Sequence, residues 1–178
     1  FGGSIYHSFQ ASVEKRFSSG FSILGSFTAG KLIDNTSAAG AGPVISTIQD
    51  PTNLRAERTI DTQDISRRLV ISGVFEVPVG RGRAFGGNLN RGLDAIIGGW
   101  QINSIATFSS GQPLAMTSIG GTGRRPNVVS RTHPLSGPIQ ARLSQYFDTS
   151  AYAVPASFTY GNSPGTAPNL RAPGIAYY

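Results

Sequence analysis

The stretch IYHSFQASVEKRF at residues 5–17 alternates between two kinds of side chain, and this alternation decides the fold. One parity is mainly apolar and the other mainly polar: Ile5, His7, Phe9, Ala11, Val13 and Phe17 against Tyr6, Ser8, Gln10, Ser12, Glu14 and Arg16. A period of two residues predicts a β-strand with one apolar face. The strand is longer than the usual soluble strand of about 5 or 6 residues, and it is long enough for a bilayer crossing of about 9 to 11 residues.

Three further segments repeat this pattern and complete a set of four predicted strands at residues 5–17, 21–33, 67–79 and 100–109. Ser18–Gly20 is predicted to be a tight turn between the first two, with Phe17 and Phe21 flanking it at a membrane surface. Pro78 lacks a backbone donor and is expected to end the third strand. The residues expected to face lipid are Phe9, Val13, Phe27, Leu69, Ile71, Phe75, Trp100 and Phe108.

The remaining sequence predicts loops. Residues 34–66 are rich in small and polar residues without a sustained period, and they are expected to form a long loop. Residues 110–178 are rich in glycine and proline, so we expect a loop region that builds no core of its own, with at most short strands at 114–119 and 157–160. A short helical turn is expected at 90–98. Four strands with open edges do not close a barrel, so either the chain is part of a larger barrel or the membrane interpretation is wrong.

The composition limits the classes of function. Charged residues make up 13% of the 178 residues, whereas glycine (23) and proline (11) are frequent, a mixture that suits a barrel wall with loops. The net charge of +6 is spread over single and paired cations without a dense basic run, so we expect no nucleic-acid partner. The absence of cysteine removes disulfides and thiolate sites, and no apolar run is long enough for a transmembrane helix.

No set of residues predicts catalysis or metal binding. His7 and His133 lack clustered carboxylates nearby, and Glu14 and Glu76 fall on polar strand faces, where a wet lumen would solvate them. The glycine-rich run at 120–125 lacks the lysine and serine or threonine that end a phosphate-binding loop, so we interpret it as a mobile extracellular loop. Residues 35–37 match the acceptor pattern for N-glycosylation, which means little in a bacterial protein. We therefore expect no catalytic, cofactor-binding or metal-binding residue. Solute contacts are expected only at segment level, at 34–66 and 119–145, with the individual substrate-binding residues unknown.

Short segments in a consistent order resemble one family across nearly the whole chain. They are Ser4–Gln10, Val13–Phe17, Gly30–Asn35, Arg67–Pro78 with Gly80–Arg83, Leu93–Asn103, Ser110–Leu114, Tyr146–Tyr152 and Asn169–Gly174. Each segment is short, and their order and spacing carry the similarity. The chain in this respect resembles the Oar-like TonB-dependent receptors of the bacterial outer membrane.

The resemblance implies an all-β fold, in which residues 1–178 form part of an antiparallel transmembrane β-barrel of about 22 strands with long loops. The plug and N-terminal domains, including the segment that contacts the TonB energy-transducing complex, would lie upstream. The implied function is transport of an unidentified solute, without enzymatic activity or cofactor, by a protein in contact with outer-membrane lipid. The alternative that the residues leave open is a soluble β-sheet binding or adhesion module.

Overall fold

The computed structural model describes residues 2–35, 48–118 and 125–177. The chain divides into two compact units. We call the first the loop unit, which comprises Phe1–Ser8, Gly30–Ser66 and Ser110–Gly174, and the second the strand unit, which comprises Phe9–Ala29, Arg67–Ser109 and Ile175–Tyr178. The helices among the described residues lack the length and apolar character needed to cross a membrane.

The structure contains four long strands, with short strands and helices between them and in the tail at 110–178. The strands are β1 Ser4–Ser18, β2 Phe21–Asp34, β3 Thr59–Ile60, β4 Arg67–Glu76, β5 Gln101–Ser109, β6 Pro113–Ala115, β7 Asn127–Val128, β8 Tyr152–Ala153, β9 Thr166–Arg171 and β10 Ile175–Tyr177. The helices are α1 Arg91–Ile97 and α2 Ile139–Ser144, with a 3₁₀ turn at Thr149–Ala151. The predicted ranges 5–17, 21–33, 67–79 and 100–109 overlap β1, β2, β4 and β5.

The long strands lie in one sheet in the order β1, β2, β4, β5, β10, and β3 pairs with the end of β2. The pairings of β2 with β4, of β4 with β5 and of β5 with β10 are antiparallel. β4 ends at Glu76 rather than at Val79. The Val77 N–H still donates to the Trp100 carbonyl at 2.9 Å, and Pro78 then has no N–H to continue the ladder.

The turn between β1 and β2 has the backbone conformation of a tight hairpin. Ser19 has φ 54° and Gly20 has φ 82°, so both central residues lie in the left-handed region. Two such residues in succession form the turn whose twist matches that of paired strands. Glycine adopts this conformation without a steric cost, whereas Ser19 bears one. The Ser-Ser-Gly sequence therefore specifies the hairpin.

The helical turn expected at 90–98 is α1, and its ends explain its length. Asn90 caps the N-terminus, because its side-chain oxygen accepts from the Leu93 N–H at 2.8 Å. The Gly98 N–H donates to the Asp94 carbonyl at the other end. Trp100 follows, and its indole Nε1 donates to the Ile96 carbonyl at 2.8 Å. This hydrogen bond satisfies the polar end of the tryptophan while its ring stays 62% exposed.

The tail contains a small hydrophobic core, so the expectation that it builds none was wrong. Met116, Ala167 and Leu170 are buried, and Leu114, Phe147 and Tyr152 pack against them. β6 pairs with β9 and β7 pairs with β8, which brings these few apolar residues together. The Phe147 and Tyr152 rings meet edge to face with centroids 6.2 Å apart.

Two of the short strands expected in the loops differ from those observed. Residues 157–160 form a turn rather than a strand, with Phe158 at φ 63°. β6 spans Pro113–Ala115 and overlaps the strand predicted at 114–119 only at residues 114 and 115, while Ile119 lies outside the described residues. The segment at 34–66, predicted to be loop, contains β3, which pairs through Ile60 with Ile33 and through Thr59 with Asp34.

Candidate functional site

One face of the strand unit is a continuous apolar surface. The strand registers place two rows of large apolar side chains across β2, β4 and β5. One row lies near the turn between β1 and β2, and the other lies near the opposite end of the paired strands. In the middle, small residues alternate with isoleucines: Gly73 lies between Ile23 and Ser104, and Ile71 lies between Gly25 and Ala106. The first row is Phe21, Phe75 and Ile102, and the second is Phe27, Leu69 and Phe108.

The large side chains of the first row are exposed, whereas in the second row Phe108 is exposed and Phe27 and Leu69 are half-buried. Phe75 is 46% exposed and Ile102 is 56% exposed, and no residue of β1, β4 or β5 is buried. Phe9 and Val13 on β1 are more exposed still, and Phe17 is exposed to a similar degree. Soluble monomers rarely expose contiguous apolar patches above a few hundred Å², so a surface of this kind needs an apolar partner. Its residues include every side chain that the sequence predicted to face lipid on β2, β4 and β5.

The opposite face of the same strands is mixed rather than purely polar. Ser72 lies between Leu24 and Ile105, and Val70 lies between Ser26 and Thr107. A concavity of about 960 Å³ is lined partly by Ser72 and Asn103. Small polar side chains beside single aliphatic ones leave room for water along this face, as a barrel lumen requires.

Charged and aromatic residues cluster where β1 and β2 meet at the turn. The Lys15 ammonium lies 3.6 Å from the centroid of the Phe21 ring, and it donates to the Ser18 hydroxyl at 2.9 Å and to the Ser18 carbonyl at 3.2 Å. A cation held against an aromatic ring suits the interface between hydrocarbon and water, where both long cationic and aromatic side chains are favoured.

The two glutamates weighed as site candidates are paired with arginines at the surface. Glu14 lies 3.6 Å from the Arg16 Nε, and Glu76 accepts a hydrogen bond from the Arg83 Nη1 at 2.9 Å. Exposed pairs of this kind contribute little to stability. Their geometry is that of solvated side chains and offers no acid and base acting on one point.

The structure does not bring the two histidines into any metal-binding group. His7 lies exposed on β1 and His133 lies exposed before α2. Within residues 2–35, 48–118 and 125–177, no cluster of three or more potential ligands is present. Residues 120–124 of the glycine-rich run and residues 36–37 of the acceptor pattern lie outside the described residues.

Two buried ion pairs hold the loop unit together. Arg125 and Glu57 form one, with side chains only 5% and 3% exposed. Arg171 forms the other with Asp64, whose side chain is fully buried. Between them the Thr59 and Thr166 hydroxyls hydrogen-bond at 2.8 Å. These contacts join the loop at 48–66 to the tail, so the long loop has a fixed conformation near its end.

A pair of buried carboxyl groups lies beside these ion pairs. Asp34 and Asp61 are 5% and 6% exposed, and Asp34 follows the part of β2 that pairs with β4. Burial raises the pKa of Asp34 to about 6, and both the hydrogen bond that its protonated carboxyl donates to Asp61 and the negative charge of Asp61 add to the rise. The Asp34 Oδ1 is buried without a hydrogen-bond partner among the described residues. Two such carboxyls are stable together when they share a proton.

A pocket of about 420 Å³ in the loop unit is lined by two arginines. Gly3, Ser4 and Ile5 at the start of β1 form one side, and Ile33 and Asn35 at the end of β2 form another. Leu54, Arg55 and Arg58 complete the lining from the turn before β3.

The sequence prediction located this region only as a segment and missed its individual residues. A signal was present in residues 55–64, RAERTIDTQD, where five of the ten residues are charged in a chain that is only 13% charged. Such a local concentration of charged residues in a chain with few of them indicates ion pairs or a binding site, because buried charged groups must be paired or hydrogen-bonded. Glu57, Asp61 and Asp64 turn out to be buried, whereas Arg55 and Arg58 are exposed.

Comparison with known proteins gives one match. The family model described as outer membrane beta barrel domain matches residues 1–177. No curated protein and no solved structure matches the chain.

Proposed function

Because the chain belongs to the outer membrane β-barrel domain family, we propose that it forms part of the wall of an Oar-like TonB-dependent receptor. The family places the protein in the bacterial outer membrane, in contact with its lipid. The proposed receptor moves a solute across that membrane with energy passed on by the TonB complex. The role involves no catalysis by this chain.

The observation that supports a receptor over a simple membrane anchor is the folded loop unit. Its segments carry buried ion pairs and a core of their own, as in Arg125 with Glu57 and in Leu170 with Met116. Such order in long loops is costly in conformational entropy, and binding surfaces are the usual reason for it. The segments at 34–66 and 119–145 remain the proposed solute-contacting regions.

The proposed orientation follows from the lengths of the connections. Outer-membrane barrels have short periplasmic turns and long extracellular loops, so the Ser18–Gly20 turn would face the periplasm and the loop at 34–66 would face outwards. The apolar rows on β2, β4 and β5 would then face hydrocarbon. The barrel would reach about 22 strands with further strands of the same protein, and a plug domain would fill its lumen.

The family match does not favour the alternative of a soluble binding or adhesion module. A soluble module would have to cover Phe75, Ile102 and their neighbours with a second sheet. Within the described residues Phe75 and Ile102 are exposed.

The proposal is tested with the complete protein expressed in the bacterial outer membrane, with and without the TonB complex. Depletion of solutes from the medium is measured by mass spectrometry. We expect at least one solute to disappear faster only when both the protein and TonB are present. Steady ion conductance through the purified protein in a planar bilayer without TonB would instead indicate an open pore, and it would contradict a plugged receptor.

A further inference from the structure

We propose that Arg55 and Arg58 bind a small organic anion, a carboxylate with an apolar body, in the pocket at the start of β1 and the end of β2. This inference rests on the proposed function, because it names the chemical class of the solute.

The lining of the pocket combines cationic and apolar groups. Arg55 and Arg58 belong to the lining together with the aliphatic residues Ile5, Ile33 and Leu54. Its volume of about 420 Å³ falls within the range of about 300 to 1,000 Å³ that is typical of small-molecule sites. A guanidinium binds a carboxylate through two parallel hydrogen bonds, while aliphatic residues cover an apolar tail.

Within the described residues, no acidic side chain forms an ion pair with Arg55 or Arg58. All nine acidic residues of the sequence lie in the described ranges, and the ion pairs of the structure involve Glu14, Glu57, Asp64 and Glu76 with other arginines. The remaining carboxyls bind Thr52, Ser150, the Arg81 N–H or each other, and these are Asp50, Asp148, Asp94, Asp34 and Asp61. The pocket lining therefore includes two positive charges without an acidic partner in the described part of the chain, so they are free to pair with an anion.

The turn that presents the arginines is fixed by its own hydrogen bonds. Glu57 lies between Arg55 and Arg58 in the sequence, and its carboxylate is buried against Arg125 and also accepts from the Asp50 N–H at 3.1 Å. The Arg58 N–H donates to the Arg55 carbonyl at 3.4 Å. Anchoring the residue between them restricts the backbone of both arginines, which lowers the entropy lost on binding.

Asn35 adds a neutral donor to the same pocket. Its side-chain oxygen accepts from the Gly3 N–H at 2.6 Å, and its backbone N–H donates to the Gly3 carbonyl at 3.2 Å. With the oxygen engaged, the amide nitrogen is the group left to donate to a bound ligand. Asp34, its neighbour in the sequence, is not among the lining residues.

The test uses isothermal titration calorimetry on the complete protein in detergent, with hexanoate, its neutral isostere hexanamide, and inorganic phosphate as probes. We expect hexanoate to bind and hexanamide not to bind, and phosphate to bind more weakly because it has no apolar body. Arg55→Gln and Arg58→Gln should each weaken hexanoate binding by about tenfold or more. Arg55→Lys, which keeps the charge and loses the paired geometry, should fall between Arg55→Gln and the unchanged protein.

Arg142→Gln on α2 is the matched control, since it removes one exposed positive charge elsewhere in the loop unit. Equal hexanoate affinity in the double variant Arg55→Gln/Arg58→Gln and in the Arg142→Gln control would overturn the site, as would equal binding of hexanamide. The anion site and the transport proposal can fail independently. Hexanoate binding without any TonB-dependent solute depletion would contradict transport and leave the site intact. Solute depletion without hexanoate binding would contradict the site and leave the transport proposal intact.

Discussion

The Arg171 Nη2 donates a hydrogen bond of 2.5 Å to the Asp64 carboxylate, across 107 positions of sequence. The Nη1 of the same guanidinium donates to the Asp64 carbonyl at 3.0 Å and to the Gly111 carbonyl at 3.1 Å. The Asp64 side chain is fully buried, and it also accepts from the Leu32 N–H at 2.6 Å. One arginine thus ties the loop after β3, the start of the tail and β9 into one unit.

Removal of this arginine is expected to loosen the loop unit. In Arg171→Met the Asp64 carboxylate stays buried without a counter-charge, which costs about 3 to 5 kcal/mol. The change is measured in the complete protein by hydrogen exchange of the amides of β3 and β9. Arg142→Met, on the exposed surface of α2, serves as the control and should leave exchange unchanged. Equal protection in both variants would show that the ion pair is dispensable.

The raised pKa of Asp34 predicts that the loop unit weakens as the pH rises. A carboxyl whose pKa is about 6 when folded, against 3.8 otherwise, binds its proton more tightly in the folded state. The stabilisation from that proton is complete below pH 3.8 and is lost as the pH rises through about 6. We therefore expect the loop unit to be less stable at pH 7.5 than at pH 5. Hydrogen exchange at the two pH values, corrected for the intrinsic exchange rates, measures the difference.

Asp34→Asn isolates this effect, because its amide can still donate to Asp61 but does not ionise in this range. The variant should lose most of the difference between the two pH values. Asp148→Asn is the control, since the Asp148 pKa is lowered by its hydrogen bonds with Ser150 and does not titrate near pH 6. An unchanged pH dependence in Asp34→Asn would assign the effect to another group.

Adjacent residues on β4 allow a direct test of the lipid face. Ile71 lies on the apolar face and Ser72 on the mixed face. Ile71→Lys should destabilise the barrel in a bilayer by about 2 to 4 kcal/mol, whereas Ser72→Lys should be mild because a wet lumen accepts the charge. Urea unfolding of the complete protein in liposomes measures both. Equal losses would mean that the two faces meet the same environment.

Local pattern was sufficient to predict the long strands and insufficient to predict the loop unit. Alternation located β4 and β5 because the residues of each apolar face recur at every second position of one short segment, and Pro78 marked the end of a ladder through its missing N–H. The ion pair of Arg171 with Asp64 joins residues too distant for any local period to indicate. The core around Leu170 was missed for a related reason, since it consists of single apolar residues that become neighbours only after β6 and β9 pair.

The glycine content of the tail has a structural cause at Gly161, which leads to the last prediction. A Cβ at this position would lie 1.9 Å from the Arg125 carbonyl oxygen and 2.6 Å from its carbonyl carbon. Because the obstacle is backbone, Gly161→Ala should shift the segment that carries the buried Arg125 and cost at least about 1 to 3 kcal/mol. Limited proteolysis of the complete protein should then cut the loop unit faster. Gly87→Ala, where a Cβ meets nothing within 4 Å, should not, and equal cleavage of the two variants would show that the close approach of these chains is not required.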